Sequence, residues 1–268
     1  MKKAVFVANA QHQIDWATAF STGLNRHGWQ TVIRHDAAPC DLLVLWGIRR
    51  QEAIAEQKWQ GGEVCILERG YIGDRFKWSS VSFGGKLNGR AAYRGVKDEP
   101  ERFQSNFGHL VQPWRARDGY ALLIGQVAGD MSLRHVDGDL SRWYRDTSDA
   151  LLKHGYDVRY RPHPGTIKRG SPLHVPSGTK LIDGTLADAF SGASVVVTYN
   201  SNTGVESVLS GVPTISADGG SMAWDVTSHD VAVPTVTPDR TTWASELAWK
   251  QWTLEEMASG ACWEAVGI

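Results

Sequence analysis

Short apolar runs alternate with amphipathic stretches from the first residues onward, and the alternation restarts once; no other feature narrows the fold as much. Residues 3–8 read as a buried strand, and 15–27 as a helix with Trp16, Ala19, Phe20 and Leu24 at helical spacing, stopped by Gly28. Residues 29–35 and 41–46 read as strands, 52–59 as a short helix and 63–67 as a fourth strand. After Pro113 the pattern begins again. Strands are expected at 120–125, 157–161, 181–183, 194–198 and 214–217, and helices at 140–153, 186–191 and 205–210. Strands separated by helix-length segments build βαβ units, hence mostly parallel sheets with helices on both faces. Residues 70–112, rich in glycine and aromatics and without periodicity, predict long loops with short elements. Asp239 can cap a last helical region where Trp243, Leu247, Trp249 and Trp252 recur. There is no internal repeat and no low-complexity tract. The expected organisation is two α/β domains, 1–115 and 116–240, with 241–268 as a C-terminal helical segment packing back across both.

Composition excludes several classes. With 42 % hydrophobic and 21 % charged residues, disorder, collagen and coiled coil are ruled out. A chain of 268 residues buries roughly three quarters of its unfolded surface and needs no disulfide or metal staple. Cys40, Cys65 and Cys262 are odd in number, widely spaced and form no zinc or redox motif, which points to a reducing cytoplasm. Met1-Lys2-Lys3 resembles the start of a signal peptide, but the apolar run ends at Asn9, so the segment reads as a strand. No segment approaches the ~20 apolar residues of a membrane span. A soluble cytoplasmic monomer or homodimer is expected.

Charge is unevenly spread. Residues 1–115 carry a net +5 and residues 116–268 a net −6. Between 69 and 97 lie seven basic residues (Arg69, Arg75, Lys77, Lys86, Arg90, Arg94, Lys97) against the single acid Asp74, interleaved with Tyr71, Phe76, Trp78, Phe83 and Tyr93. This mixture suits an anionic polymer or a phosphorylated ligand, with aromatics as stacking platforms. The competing explanation is a loop whose aromatics fill the core and whose arginines face water. For the tryptophans at 243, 249, 252 and 263 the plain explanation is packing of a terminal helix, each indole N–H finding a partner.

Four motifs follow expected strands of the second half, at the strand ends where open α/β sheets bind ligands. In Leu123-Ile124-Gly125-Gln126 a strand runs into a glycine and a polar amide. In Arg161-Pro162-His163-Pro164 two prolines hold an imidazole in an extended frame beside a guanidinium, suited to phosphate or to proton transfer. In Thr198-Tyr199-Asn200-Ser201-Asn202-Thr203-Gly204-Val205-Glu206 a strand opens through small polar residues into a helix N-terminus, a natural phosphate site, with Glu206 placed for ribose hydroxyls. Simple capping by Ser201 or Thr203 explains the same residues and can coexist with binding. Asp218-Gly219-Gly220-Ser221 is a weaker, glycine-rich tip. Neither a P-loop nor a dinucleotide fingerprint occurs.

On these motifs, together with Gly211-Val212-Pro213, the chain resembles the nucleotide-binding half of GT-B glycosyltransferases, the capsular polysaccharide Kdo-transferase type most of all and bacterial sialyltransferases more distantly. The resemblance spans residues 120–217. It implies a GT-B-like α/β fold, two Rossmann-like domains facing across a cleft, with the donor held by the C-terminal domain and the acceptor by the N-terminal one. It implies no required cofactor or metal, and a UDP- or CMP-sugar as donor. Donor contacts are then expected from Gly125, Gln126, Arg161, His163, Ser201, Asn202, Thr203, Gly204 and Glu206. His163 would also stabilise the leaving group, and Glu68 or Asp74 would serve as base, unless each is an ion-pair partner of Arg69 or Arg75. Arg69, Tyr71, Arg75, Lys77, Trp78 and Arg90 are the expected acceptor contacts. The first acceptor to consider is a hydroxymethylated base in phage DNA, which needs phosphate contacts and aromatics around an extruded base. The alternatives are an anionic glycan of surface-polysaccharide synthesis, or a GT-B-like nucleotide-sugar epimerase or binding module.

Overall fold

The computed structural model describes residues 1–115, 118–134, 140–170 and 173–268. In chain order the elements are β1 (Lys3–Val7), α1 (Gln11–Arg26), β2 (Gln30–Arg34), β3 (Leu42–Trp46), α2 (Gln51–Trp59), β4 (Glu63–Arg69), β5 (Ser79–Phe83) and α3 (Pro100–Phe107). There follow β6 (Tyr120–Ile124), α4 (Leu140–Lys153), β7 (Val158–Arg161), α5 (Pro164–Lys168), β8 (Lys180–Leu181), α6 (Leu186–Ser191), β9 (Ala193–Thr198), α7 (Thr203–Leu209) and β10 (Thr214–Ser216). The chain closes with α8 (Thr241–Ala248), β11 (Gln251–Trp252), α9 (Leu254–Ser259) and α10 (Ala261–Val266). It divides into two compact units: Met1–Asn106 with Thr241–Ile268, and Phe107–Arg240. Residues 116 and 117, where the sequence suggests a domain boundary, lie outside the described residues.

The first unit holds a six-stranded sheet in the order β11-β5-β4-β3-β1-β2. Strands β1 to β4 are mutually parallel; β5 runs antiparallel to β4, and β11 antiparallel to β5. Strands β1, β3 and β4 are apolar on both faces because both faces are covered. One face packs Phe6, Phe20 and Trp263, with the rings of Phe20 and Trp263 stacked at 3.9 Å and Trp263 Nε1 donating to the Phe20 carbonyl at 2.9 Å. The other face packs Val5, Leu43, Leu45, Ile54 and Ile66. Met257, Cys262 and Val266 of the C-terminal segment belong to the Phe6–Phe20 core, so the last residues of the chain complete the unit begun by the first. The three cysteines are free thiols.

Two short elements lie in the segment where the sequence predicts long loops with short elements. Strand β5 is Ser79-Ser80-Val81-Ser82-Phe83, wholly buried, and Ser79 Oγ donates to the Glu68 carbonyl at 2.9 Å. Serines give neither apolar alternation nor strand propensity, so this strand is silent in sequence. Helix α3 is short and largely polar. It is held by Arg102, which reaches the C-terminal segment.

The second unit is a five-stranded, fully parallel sheet in the order β10-β9-β6-β7-β8. Its faces bury Leu123, Tyr144, Tyr160 and Val197 on one side, and Leu122, Phe190, Val196 and Val212 on the other. Among the described residues no helix is long and apolar enough to cross a membrane.

Candidate functional site

In the second unit the chain leaves β6 to add β7 and β8 on one side, then returns to add β9 and β10 on the other. The order therefore reverses between β6 and β9, and side chains beyond the carboxyl ends of these two strands meet there. Gln126 Nε2 donates to Asn200 Oδ1 at 2.8 Å, and the Asn200 backbone N–H donates to Gln126 Oε1 at 3.0 Å. Buried Asn200 extends the network, its Nδ2 donating to the Ser132 carbonyl at 3.0 Å and to Asp218 Oδ2 at 2.9 Å. Asp218 follows β10, and its Oδ2 also accepts from the Gly220 N–H at 3.0 Å. The loops after three strands are thus tied into one rim, at the reversal point where open α/β sheets take their ligands. Both polar ends of the Gln126 amide face Asn200, so Gln126 first of all positions the loop after β9.

Gly125 has a steric reason. A Cβ there would stand 2.7 Å from Tyr160 Oη and 3.0 Å from Pro162 Cα, so only glycine lets the chain leave β6 this close to β7. The next N–H, that of Gln126, donates to Tyr144 Oη at 2.6 Å. Burial, with Tyr160 beside it, pushes the Tyr144 phenol well up, so the ring stays neutral and keeps its hydroxyl proton.

His163 follows β7 and faces solvent. Its Nδ1 accepts from the Gly165 N–H at 2.9 Å, which in the neutral ring leaves the proton on Nε2. The imidazole therefore presents a fixed donor. Arg161 turns elsewhere: Nη2 donates to the Gly184 carbonyl at 3.0 Å, and its buried Nε has no hydrogen-bond partner among the described residues.

The start of α7 differs from the sequence expectation. Ser201 Oγ accepts from the Thr203 N–H at 3.2 Å, the Gly204 N–H donates to the Ser201 carbonyl at 3.0 Å, and the N–H groups of Val205 and Glu206 donate to the Asn202 carbonyl at 2.9 and 3.3 Å. The amides expected to face a phosphate are consumed by the tight turn that begins the helix; its N-cap is Asn202, with no side-chain capping bond, and not Ser201 or Thr203 as the capping explanation expects. The Ser201 hydroxyl donates to Thr203 Oγ1 at 3.2 Å, and the Glu206 carboxylate is half-buried on the first turn.

The first unit has its own reversal, between β1 and β3. There His12, near the start of α1, meets the ring of Trp46, the last residue of β3, edge to face at 5.1 Å. Glu68 stands at the end of β4, and its Oε1 accepts from the Arg69 N–H at 3.0 Å. Its Oε2 lies 3.3 Å from where a Cβ on Gly47 would be, so Gly47, at φ +65°, leaves room for this carboxylate. The Arg69 guanidinium lies 5.3 Å from the Trp46 ring centre and 4.6 Å from that of Phe76.

The remaining residues of the basic and aromatic segment are dispersed. Asp74 is exposed and closes a turn, Oδ1 accepting from the Phe76 N–H at 2.9 Å, while Arg75 Nε donates to the Gly70 carbonyl at 3.0 Å. Lys77 and Arg90 are exposed. Tyr71, Trp78 and Phe83 are buried, where the sequence suggested platforms at the surface; leaving water stabilises an aromatic ring by roughly 1.5–3 kcal/mol. Tyr71 is further fixed by its N–H, which donates to buried Gln251 Oε1 at 2.6 Å, and by a 2.6 Å hydroxyl contact with Tyr93. A cavity of about 560 Å³ opens beside Tyr120, Asp157 and Asp188, at the amino-terminal edge of the second sheet. Its charges are already engaged: Asp157 pairs with Lys180 at 2.8 Å and with Arg159 at 3.3 Å, and Asp188 caps α6.

No family model and no curated protein matches the chain. Among solved structures it is similar to the KpsC beta Kdo 2,4 transferase of Thermosulfurimonas dismutans, with a TM-score of 0.62 and 16 % identity over 92 % of this chain and 90 % of that one. It is also similar to the KpsC beta Kdo 2,7 transferase of the same organism, with a TM-score of 0.58 and 15 % identity over 99 % of both chains. The fold is GT-B-like. A UDP-GlcNAc 2-epimerase of Methanocaldococcus jannaschii, at a TM-score of 0.36 and 11 % identity over 87 % of this chain and 90 % of that one, is too remote to argue from.

Within this GT-B-like fold, sequence reasoning missed Asn200 and Asp218 as rim residues. Asn200 was read only as part of a polar cluster, and no spacing in the chain announces that three distant loops share one hydrogen-bond network. Among the described residues no group of three or more His, Cys, Asp or Glu is placed to hold a metal ion. Replacing Asn200 by leucine, similar in size and without polar atoms, leaves Gln126 and Asp218 without their shared partner. The expected cost is roughly 1–3 kcal/mol for the abandoned buried groups. Thermal unfolding of the variant checks it: the melting temperature should fall.

Proposed function

We propose that the chain is a glycosyltransferase that moves a sugar from a UDP- or CMP-linked donor to a hydroxyl of an anionic glycan, as in surface-polysaccharide synthesis. One observation carries the reading. The polar residues at the carboxyl edge of the second sheet, His163 and the 200–206 loop above all, gather around a topological reversal held rigid by Gln126, Asn200 and Asp218. The likeness to two solved structures named as Kdo transferases supports it.

In the reaction the bond from the anomeric carbon to the donor phosphate oxygen breaks, and its electron pair leaves with the nucleotide. A new bond forms from that carbon to the acceptor oxygen, and the acceptor proton passes to a carboxylate. Glu68 is the proposed base, because it sits at a strand end while Asp74 closes an exposed turn. His163, with its proton on Nε2, donates toward the phosphate oxygens, where charge accumulates. Ser201, Thr203 and Glu206 complete the donor contacts, the carboxylate accepting from ribose hydroxyls. A glycan acceptor is preferred to a DNA base because Tyr71 and Trp78, two of the aromatics that would flank an extruded base, are buried.

Thermal unfolding against UDP, CMP, CDP, GDP, ADP and their sugars tests the donor half, with His163→Ala and Glu206→Ala alongside. A nucleotide at a hundred times its dissociation constant adds about 2.7 kcal/mol to the wild type. One nucleotide should stabilise the wild type, and both variants should lose that response. No response at millimolar concentration would overturn the assignment. Conversion of the donor sugar with no acceptor present would replace transfer with epimerisation.

A further inference from the structure

We infer that Arg69 is the specificity residue that reads a carboxylate on the acceptor sugar, an inference that rests on the glycosyltransferase reading of the preceding section. Arg69 ends β4 at the carboxyl edge of the first sheet, beside the reversal between β1 and β3. Its guanidinium is half-buried against two rings, Trp46 at 5.3 Å and Phe76 at 4.6 Å, and Trp46 is in turn braced by His12 at 5.1 Å. Among the described residues the guanidinium makes no hydrogen bond and no ion pair; it lies over these two rings.

That sets it apart from the cations around it. Arg75 is bonded to Gly70, Arg94 is paired with Glu63 and lies over Phe83, and Lys97 is paired with Glu99. Arg49 and Lys77 are exposed, and water solvates their charge. Arg69 has given up water on the side the rings cover, while its N–H groups have received nothing in return among the described residues. A guanidinium carried against aromatic rings keeps its fork of N–H groups for a planar carboxylate, which it takes through two parallel hydrogen bonds. A polyanion is the poorer fit: Glu68 is the preceding residue, so the charge beside Arg69 is balanced. A single carboxylate needs only the one fork. Bound there, its sugar lies at the strand end that also carries the proposed base.

The test uses the whole chain and a matched pair of probes, the methyl ketoside of a 2-ulosonic acid and its methyl ester, which differ only in the charge of the carboxylate. Binding is followed by calorimetry or ligand-observed NMR for wild type, Arg69→Met and Arg69→Lys, with near-ultraviolet circular dichroism as the control for folding. Wild type should prefer the acid by about tenfold or more, as a bidentate charged pair requires. Arg69→Met should bind acid and ester alike. Arg69→Lys, which keeps the charge and loses the fork, should keep only a small part of the preference. Inorganic phosphate and a single-stranded oligonucleotide form the other arms. Equal binding of acid and ester by wild type, no binding of either, or Arg69-dependent binding of phosphate or oligonucleotide in place of the acid would each overturn the inference. The nucleotide response of the second unit is read separately, so its loss would sink the donor assignment without touching this result, and the reverse holds as well.

Discussion

Glu68→Gln is expected to leave the fold and the nucleotide response intact while lowering transfer by about 10²–10⁴-fold, the usual contribution of a positioned general base. The substitution suits the site. Glutamine keeps the length of the side chain and an oxygen to accept from the Arg69 N–H, now 3.0 Å from Oε1, so the strand end should not move. What it removes is a group able to take the acceptor proton. Release of nucleotide from the stabilising donor, measured with an acidic oligosaccharide present, reads the effect. The loss should appear in kcat with little change in the acceptor KM, because the carboxylate acts on the reacting proton. Asp74→Asn separates the two candidates. If it abolishes release while Glu68→Gln does not, the base is Asp74 and the position of Glu68 at the strand end has another purpose. Gly47→Ala bears on the same point from outside the reacting groups. Its Cβ would meet Glu68 Oε2 at 3.3 Å on a backbone with φ +65°, so the carboxylate must shift, and transfer should fall without loss of the acidic group.

Much of this arrangement is legible in the chain because parallel α/β units announce themselves. Strands β1, β3, β6 and β9 are short apolar runs between helices, and helix 140–153 ends where Gly155 follows it. Some motifs at strand ends are equally visible, where a glycine or a proline marks the point at which the strand gives way to a loop. Gly125 and the Pro162-His163-Pro164 frame are of this kind. What sequence cannot carry is partnership across long separations. Gln126 and Asn200 are 74 residues apart, and nothing in either neighbourhood says that their amides meet. The same blindness misplaced the aromatics of 71–83. Tyr71 is fixed by Gln251, 180 residues further on, through a two-residue strand too short to show any period. A ring beside arginines reads as a platform until the element that buries it is known. The amides at the start of α7 are a different case. Their fate depends on whether the turn closes on itself, which it does through the Ser201 and Asn202 carbonyls, with Asn202 and not Ser201 or Thr203 as the N-cap.

The C-terminal segment supplies the largest expected effect on stability, through Arg102. This side chain is only 11 % exposed, and its partners come from three places in the last 28 residues. Nε donates to the Ala248 carbonyl and Nη2 to the Gln251 carbonyl, each at 2.9 Å, while both terminal nitrogens reach the Glu256 carboxylate. The rings of Trp252, Trp249 and Trp78 surround it at 4.4, 5.0 and 5.6 Å. Glu256 itself caps α9, its Oε2 accepting from the Thr253 N–H at 2.8 Å. Arg102→Ala therefore leaves a largely desolvated carboxylate and two carbonyls without donors, and opens a gap among three indoles. Removing one partner of such a pair costs on the order of 3–5 kcal/mol, a large share of the 5–15 kcal/mol that holds a typical domain. Urea unfolding followed by tryptophan fluorescence should show that loss. Arg102→Met restores volume without donors and should recover only the packing part. Adding Glu256→Gln to it removes the stranded charge and should recover more, the signature of a pair whose single deletions are costlier than its joint replacement. A loss below about 1 kcal/mol for Arg102→Ala would place the pair among solvent-screened surface bridges. The fixing of the last residues into the first unit would then rest on the Phe20–Trp263 core, the β11–β5 pairing and the Gln251 hydrogen bonds.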